Sequence, residues 1–161
     1  MKPIYQFTAA LLFLLFCTIA DAGGLKKAYL DSKGNVNVIT GEGKHQRLTH
    51  EGNVTSLKLA ANNETVGWLV KNSWMPPGEK IAGSEELVIY QHEKAVSIKC
   101  TPFIRDFWFW QNGSQVAINC GGLHFAGREI LYDTGSLREV SSFDEADVPL
   151  NSRPDWSNND E

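Results

Sequence analysis

At 161 residues the chain is long enough for one domain with a buried core. Its 15 lysines and arginines and 19 aspartates and glutamates give a net charge of −4, and the basic residues form no stripe. This balance excludes nucleic acid as the expected partner, because proteins bind a phosphate backbone through clustered cationic side chains.

The first 22 residues have the features of a secretory signal peptide. Lys2 gives a short positive region, an apolar run extends from Phe7 to Ala20, and small residues form a cleavage site before Gly23. The apolar run is about 14 residues long, short of the roughly 20 that span a bilayer. We therefore expect an exported protein, periplasmic or secreted and of bacterial source, with no membrane span after signal cleavage.

The cysteines point to one disulfide. Cys17 lies inside the signal peptide and leaves with it, so the mature chain retains Cys100 and Cys120. Two cysteines in an oxidising compartment favour a bridge over a reduced pair that never meets. A redox role is disfavoured because the Cys-x-x-Cys spacing is absent from the sequence.

Residues 23–142 have the pattern of a single all-β domain. Short apolar or alternating runs are separated by turn residues, and no window shows a helical period. We predict eleven strands: Lys27–Asp31, Asn35–Thr40, Gln46–Thr49, Val54–Ala60, Thr65–Asn72, Glu86–Gln91, Val96–Cys100, Ile104–Trp110, Gln115–Cys120, Arg128–Tyr132 and Leu137–Val140.

One long loop interrupts this series. Residues 73–84 contain two prolines and two glycines, a composition typical of a loop and not of a strand. Trp74 near its start either folds back on the domain or stays exposed. A loop of this length is a candidate site for binding a partner, and equally a tolerated insertion.

An internal repeat organises the strands. Residues 54–70 align without a gap on residues 104–120, with apolar positions matched at Leu57 and Phe107 and the turn matched at Asn62 and Asn112. The second halves also correspond, since residues 88–91 fall on residues 130–133. Each unit has four strands, at about 54–100 and 104–140, and a partial unit precedes them.

The repeat has a characteristic order: a strand, an Asn-Gly-type turn, a second strand, then Leu-Tyr-Asp-x-Gly and another strand. This pattern resembles the blades of TolB-like and WD40-like β-propellers. The resemblance covers most of residues 35–140 and implies about two four-stranded antiparallel blades plus a partial N-terminal one. It carries over no catalytic residue.

The chain is too short to close a propeller, which needs at least four blades. Three arrangements follow from this. The two sheets pack face to face in an open, sandwich-like form; several chains associate to complete a ring; or an exposed blade face docks a partner. The fold we expect is an all-β antiparallel meander of blade-like sheets, open or sandwich-like.

The aromatic strand beginning at residue 107 is the first candidate binding element. Phe107 and Phe109 point to one face of its sheet, and Trp108 and Trp110 point to the other. A sheet covered on both sides explains this pattern. The functional alternative is that the two tryptophans bind a protein, glycan or peptide. For Arg105 and Asp106 on the same strand, an ion pair with neighbours is favoured over a role at the edge of that patch.

Histidine is the remaining candidate for chemistry. None of the four, His45, His50, His92 and His124, has metal-ligand spacing to another, so we expect neither a metal nor a cofactor. His124 follows a glycine-containing stretch where a site is conceivable, although the sequence offers it no nucleophile or carboxylate partner.

The C-terminal residues 143–161 are strongly acidic, with six acidic residues and one basic residue, Arg153. We predict a solvated, partly disordered tail.

Three functions remain open. The first is an exported, non-enzymatic binding or accessory protein that contacts a protein or another envelope macromolecule through a sheet face or the loop at 73–84. The second is a small secreted hydrolase with a site near His124. The third is a structural module that forms homo-oligomers to complete a propeller.

Overall fold

The computed structural model describes residues 24–71, 83–122 and 124–157. These residues form ten strands and two short 3-10 turns, at Gln111–Gly113 and Leu150–Ser152, and contain no α-helix. The strands are β1 (Leu25–Leu30), β2 (Val36–Thr40), β3 (His45–Arg47), β4 (Val54–Leu59), β5 (Val66–Val70), β6 (Ser84–Gln91), β7 (Lys94–Trp110), β8 (Gln115–Cys120), β9 (Arg128–Asp133) and β10 (Glu139–Asp144).

The strands form two antiparallel sheets. A three-stranded sheet has the order β1-β2-β3, and we call it the N-terminal sheet. A seven-stranded sheet runs β10-β9-β8-β7-β6-β5-β4, so consecutive strands are neighbours throughout. The architecture is the all-β antiparallel meander that the sequence predicts, and the sheets do not close on themselves.

The long strand β7 divides the larger sheet into two halves. Its first part pairs with β6, with Ile98 opposite Leu87, and its second part pairs with β8, with Phe107 opposite Ile118. The change of partner falls at Ile104, which pairs with both neighbours and is the first residue of the second repeat unit. We call β4, β5, β6 and the first part of β7 the first blade, and the rest the second blade.

Alternation along the strands produces three apolar layers. Between the N-terminal sheet and the first blade lie Val36, Val38, Val66 and Trp68. Between the two blades lies the largest core: Leu69, Leu87, Ile89, Ile98, Ile104, Phe107, Val116, Ile118 and Ile130. The third layer, on the outer face of the second blade, consists of Ala117, Leu131 and Trp156, with Trp108, Trp110 and Phe143 beside them.

Gly67 allows the two blades to approach closely. A Cβ at this position would lie 2.7 Å from Cε2 of Phe107 and 3.1 Å from Cζ of Phe109. The glycine therefore leaves room for a Phe107 ring that is fully buried. Burying such a side chain contributes roughly 1.5–3 kcal/mol, so the contact is a substantial part of the interface between the blades.

Cys100 and Cys120 form the predicted disulfide, with their Cα atoms 6.0 Å apart. The bridge joins the end of the first blade to the second strand of the second blade. Closing a loop of this size stabilises a fold by about 3 kcal/mol in the chain-entropy model.

The C-terminal segment differs from the partly disordered tail that its composition predicts. β10 extends to Asp144, and residues 145–157 then lie against the outer face of the second blade, where Trp156 is only 9% exposed. The cause is a single large apolar anchor and one paired arginine, which a count of acidic residues does not reveal. Residues 158–161 lie outside the described part of the chain.

Candidate functional site

The N-terminal sheet, the first blade and the second blade form a stack with two ends, and the surfaces at the two ends differ. At one end the C-terminal segment, residues 145–157, covers the outer face of the second blade. The indole Nε1 of Trp108 donates to the backbone carbonyl of Trp156 at 2.7 Å. The Trp156 ring also packs against Phe143, with centroids 5.5 Å apart.

For Trp108 and Trp110 the sequence offers two explanations, a sheet covered on both sides and, as the functional alternative, a binding patch for a partner. The structure brings them together on one face, half-buried, and places both beside Trp156 of the same chain. An ion pair under the segment adds to this contact. Nη1 of Arg153 lies 3.7 Å from Oε1 of Glu129, with the two side chains 7% and 1% exposed.

The other end of the stack is the outer face of the N-terminal sheet. Strand register defines it, because directly opposed residues share a face. Lys27 and His45 both lie opposite Ile39, while Tyr29 and Arg47 both lie opposite Asn37. We call this surface the open face and define it by Lys27, Tyr29, Ile39, His45 and Arg47.

The side chains of the open face are exposed or half-buried and hold one another in place. The Tyr29 hydroxyl lies 3.5 Å from Nδ1 of His45, and Nζ of Lys27 lies 5.4 Å from the centre of the Tyr29 ring. Nη2 of Arg47 forms an ion pair with Asp31 at 3.0 Å. An aromatic ring flanked by a lysine and a histidine is therefore presented on the surface of the sheet.

Asp31 is fixed in its charged form. Its pKa is lowered from 3.8 to about 2, chiefly by the backbone N–H of Asn35, with further contributions from the N–H of Lys33 and the Asn37 side chain and against the opposing effect of desolvation. Hydrogen bonds to a carboxylate favour ionisation. Arg47 consequently keeps a charged partner across the pH range in which proteins normally work.

A groove of about 420 Å³ adjoins this end of the stack. It lies between the N-terminal sheet and the turn that joins β6 to β7, and Gln46 reaches across it to the Tyr90 hydroxyl at 3.4 Å. The lining residues are Gly24, Leu25, Thr40, Glu42, Lys44, Gln46, Glu64, Tyr90, His92 and Glu93.

The turn beside the groove has an uncommon backbone. His92 and Glu93 have φ angles of 48° and 61°, in the left-handed region that favours glycine and asparagine. Residues other than glycine in this conformation lower stability, and they occur more often at functional sites than elsewhere.

The remaining predicted residues lie elsewhere. His124 is exposed in the loop between β8 and β9. Arg105 holds the backbone of that loop, donating through Nε to the carbonyl of Gly122 at 3.1 Å and through Nη2 to that of Phe125. Trp74 and most of its loop, residues 73–82, lie outside the described residues.

Arg105 and Asp106 both form the ion pairs favoured for them, with partners on other elements. Arg105 pairs with Glu145 at 3.3 Å, and Asp106 pairs with Lys58 of the first blade at 2.9 Å. Asp106 thus ties the two blades together, and Arg105 anchors the start of the C-terminal segment.

Sequence reasoning missed the open face. Its residues come from Lys27-Ala28-Tyr29 and His45-Gln46-Arg47, two short alternating triplets whose polar members could have been assigned to a solvent face. That the two triplets share one face follows only from the register of β2 between them.

Residues 24–71, 83–122 and 124–157 contain no group of three or more His, Cys, Asp or Glu side chains arranged to hold a metal ion. Within the same ranges, no helix has the length and apolar character required to cross a membrane.

Comparison with known proteins agrees with the blade-like architecture. No protein-family model matches the chain, and no curated protein matches it. Among solved structures, it is similar to the β-propeller domain of the Trilobed protease from Pyrococcus furiosus, described as having an open velcro topology. The TM-score is 0.50 at 14% identity, over 80% of this chain and 38% of that one. This similarity confirms a propeller-like fold, and the chain spans less than half the length of that structure.

Proposed function

We propose that the chain is an exported, non-enzymatic binding module that docks another protein on its open face. The observation that carries this proposal is the asymmetry of the stack. The chain covers the apolar end with its own C-terminal segment, whereas the described residues leave the outer face of the N-terminal sheet uncovered. A propeller-like fold is compatible with a protein-interaction module.

The composition of the open face suits protein recognition. Tyrosine and arginine are enriched among the residues that dominate binding energy at interfaces. Tyr29 and Arg47 are held by His45 and Asp31, so less conformational entropy is lost when a partner orders them.

Charge indicates the chemistry of the partner. Residues 25–47 contain five basic residues and two acidic ones, a local excess of +3 in a chain whose net charge is −4. We therefore expect an acidic contact surface on the partner, because opposite potentials steer association and suppress wrong pairings.

The area of the open face sets a further condition. Its three strands, of six, five and three residues and about 4.8 Å apart, present roughly 200 Å², well below the about 800 Å² per partner of a standard interface. The partner must extend beyond the sheet, and the adjoining groove with His92 and Glu93 is the neighbouring surface that enlarges the contact.

Export is part of the proposal. The signal-like sequence of residues 1–22 and the disulfide between Cys100 and Cys120 support it together, since disulfides persist in oxidising compartments.

Site-specific photo-crosslinking in the source cell's envelope or culture fluid tests the docking face. A photoreactive residue replacing Tyr29 should give a discrete adduct with one protein. The same residue replacing Leu150, which is 51% exposed on the C-terminal segment, serves as the control and should give none. Adding Arg47→Glu should abolish the adduct at position 29. Adducts from position 150 alone, or an adduct indifferent to Arg47→Glu, would contradict the proposal.

A further inference from the structure

The C-terminal segment repeats the contacts of a blade. At the 50-residue offset of the repeat, Trp108 corresponds to Lys58. Nζ of Lys58 donates to the backbone carbonyl of Phe107 in the next layer, and Nε1 of Trp108 donates to the backbone carbonyl of Trp156 in its next layer. Equivalent positions in the two blades thus make the same kind of hydrogen bond to an aromatic residue.

A small residue also occupies equivalent positions in the two blades. Gly67 gives space to the Phe107 ring, and its counterpart Ala117 packs in one cluster with Trp156. Trp156 therefore occupies, relative to the second blade, the place that Phe107 occupies relative to the first.

Two further equivalent positions also face the segment. Leu69 and Leu87 contribute to the core between the blades, and their counterparts are Asn119 and Glu129. Asn119 donates to Oε1 of Glu145 at 2.7 Å, and Glu129 pairs with Arg153. Apolar contacts between blades are replaced here by polar contacts matched to one particular segment.

We infer that residues 145–157 are a strap that occupies the position of the next blade and prevents the second blade from stacking on a second copy of this chain. A blade face normally requires another layer, because its apolar residues are otherwise exposed. Trp108, Trp110, Leu131 and Phe143 would form such an exposed patch without the strap, and patches of this kind associate. The strap satisfies that requirement within one chain.

Truncation provides the test. A chain from Gly23 to Val148 lacks Trp156 and Arg153 but keeps Glu145, which accepts from the N–H of Gly127 and holds the neighbouring loop. A chain from Gly23 to Ser157 is the matched control. With the disulfide intact, light scattering should show a monomer for the control and concentration-dependent dimers for the shorter chain. Circular dichroism reports whether the sheet structure is retained.

A synthetic peptide of residues 145–161 tests whether the loss of the strap itself causes dimerisation. Added to the shorter chain, it should restore the monomer, and the same peptide with Trp156→Ala should not. A shorter chain that is folded and monomeric would overturn the inference. It would also be overturned if the shorter chain remained unfolded in the presence of the peptide, because the segment would then be part of the obligatory core. Dimers unaffected by the peptide would contradict it as well.

Discussion

Arg153 of the C-terminal segment lies 3.7 Å from Glu129 of the second blade, and both side chains are buried. Removing one member of a buried pair leaves the other charge without that partner in a medium of low polarity. We expect Arg153→Met to lower the free energy of unfolding by about 3 kcal/mol, measured by urea denaturation. Adding Glu129→Gln should recover part of the loss.

Arg138→Met, at an exposed position of the turn before β10, is the control for that series. Its effect should stay within about 0.5 kcal/mol, as for most surface substitutions. Equal losses for Arg153→Met and Arg138→Met would show that the ion pair contributes nothing to stability.

Gly67→Ala should destabilise the contact between the two blades. Its Cβ would meet the Phe107 ring at 2.7 Å, closer than carbon atoms approach in proteins. Overpacking of this kind costs about 1–3 kcal/mol, which thermal unfolding should register as a lower midpoint. At Gly135 the nearest atom to an added Cβ is 3.6 Å away, so Gly135→Ala should leave the midpoint almost unchanged. A neutral Gly67→Ala would mean that the blades are not in contact there.

Asp31 makes the N-terminal sheet sensitive to acid. Because its folded pKa of about 2 lies below the ordinary value of 3.8, the ionised carboxylate stabilises the fold. That contribution is complete above pH 4 and is lost as the pH falls through about 2. An NMR titration of the Asp31 carboxyl should give a midpoint near 2, and Asp31→Asn should remove this part of the acid sensitivity. A midpoint near 3.8 would show that the turn hydrogen bonds are not formed in solution.

Glu93→Gly should stabilise the protein. Glu93 holds a φ of 61°, and a left-handed conformation costs a residue with a side chain roughly 1–2 kcal/mol. We expect a gain of about 1 kcal/mol in urea unfolding, together with weaker docking of the partner if the groove contributes to binding. Glu64→Gly, at an exposed turn residue whose φ is not positive, is the control and should destabilise slightly.

Much of the fold could be predicted from local pattern. Alternation identified the strands, and the match of Leu57 to Phe107 and Asn62 to Asn112 identified two equivalent units. The disulfide follows from the two cysteines that the mature chain is expected to retain in an oxidising compartment. These features depend on residues close in sequence or on a repeat, which a single chain displays directly.

The two ends of the stack could not be predicted in the same way. That Tyr29 shares a face with His45 and Arg47 depends on the register of β1 and β3 on β2, which sequence periodicity does not contain. The position of Trp156 depends on its contacts with Ala117 and Phe143, one of them 39 residues away in the chain. The acidic composition of residues 143–161 predicts disorder, because a count of charges takes no account of one tryptophan that packs on the sheet.

Ile104 pairs with Ser84 on one side and with Cys120 on the other. One backbone segment therefore serves two repeats at once, and the disulfide crosses the same junction. In most repeat proteins each unit can melt separately, since neighbours share only an interface. Here the repeats share a strand and a covalent bond, so unfolding of one repeat removes strand pairing from the other. The molecule should behave as a single cooperative unit, with slow amide exchange concentrated on both sides of Ile104.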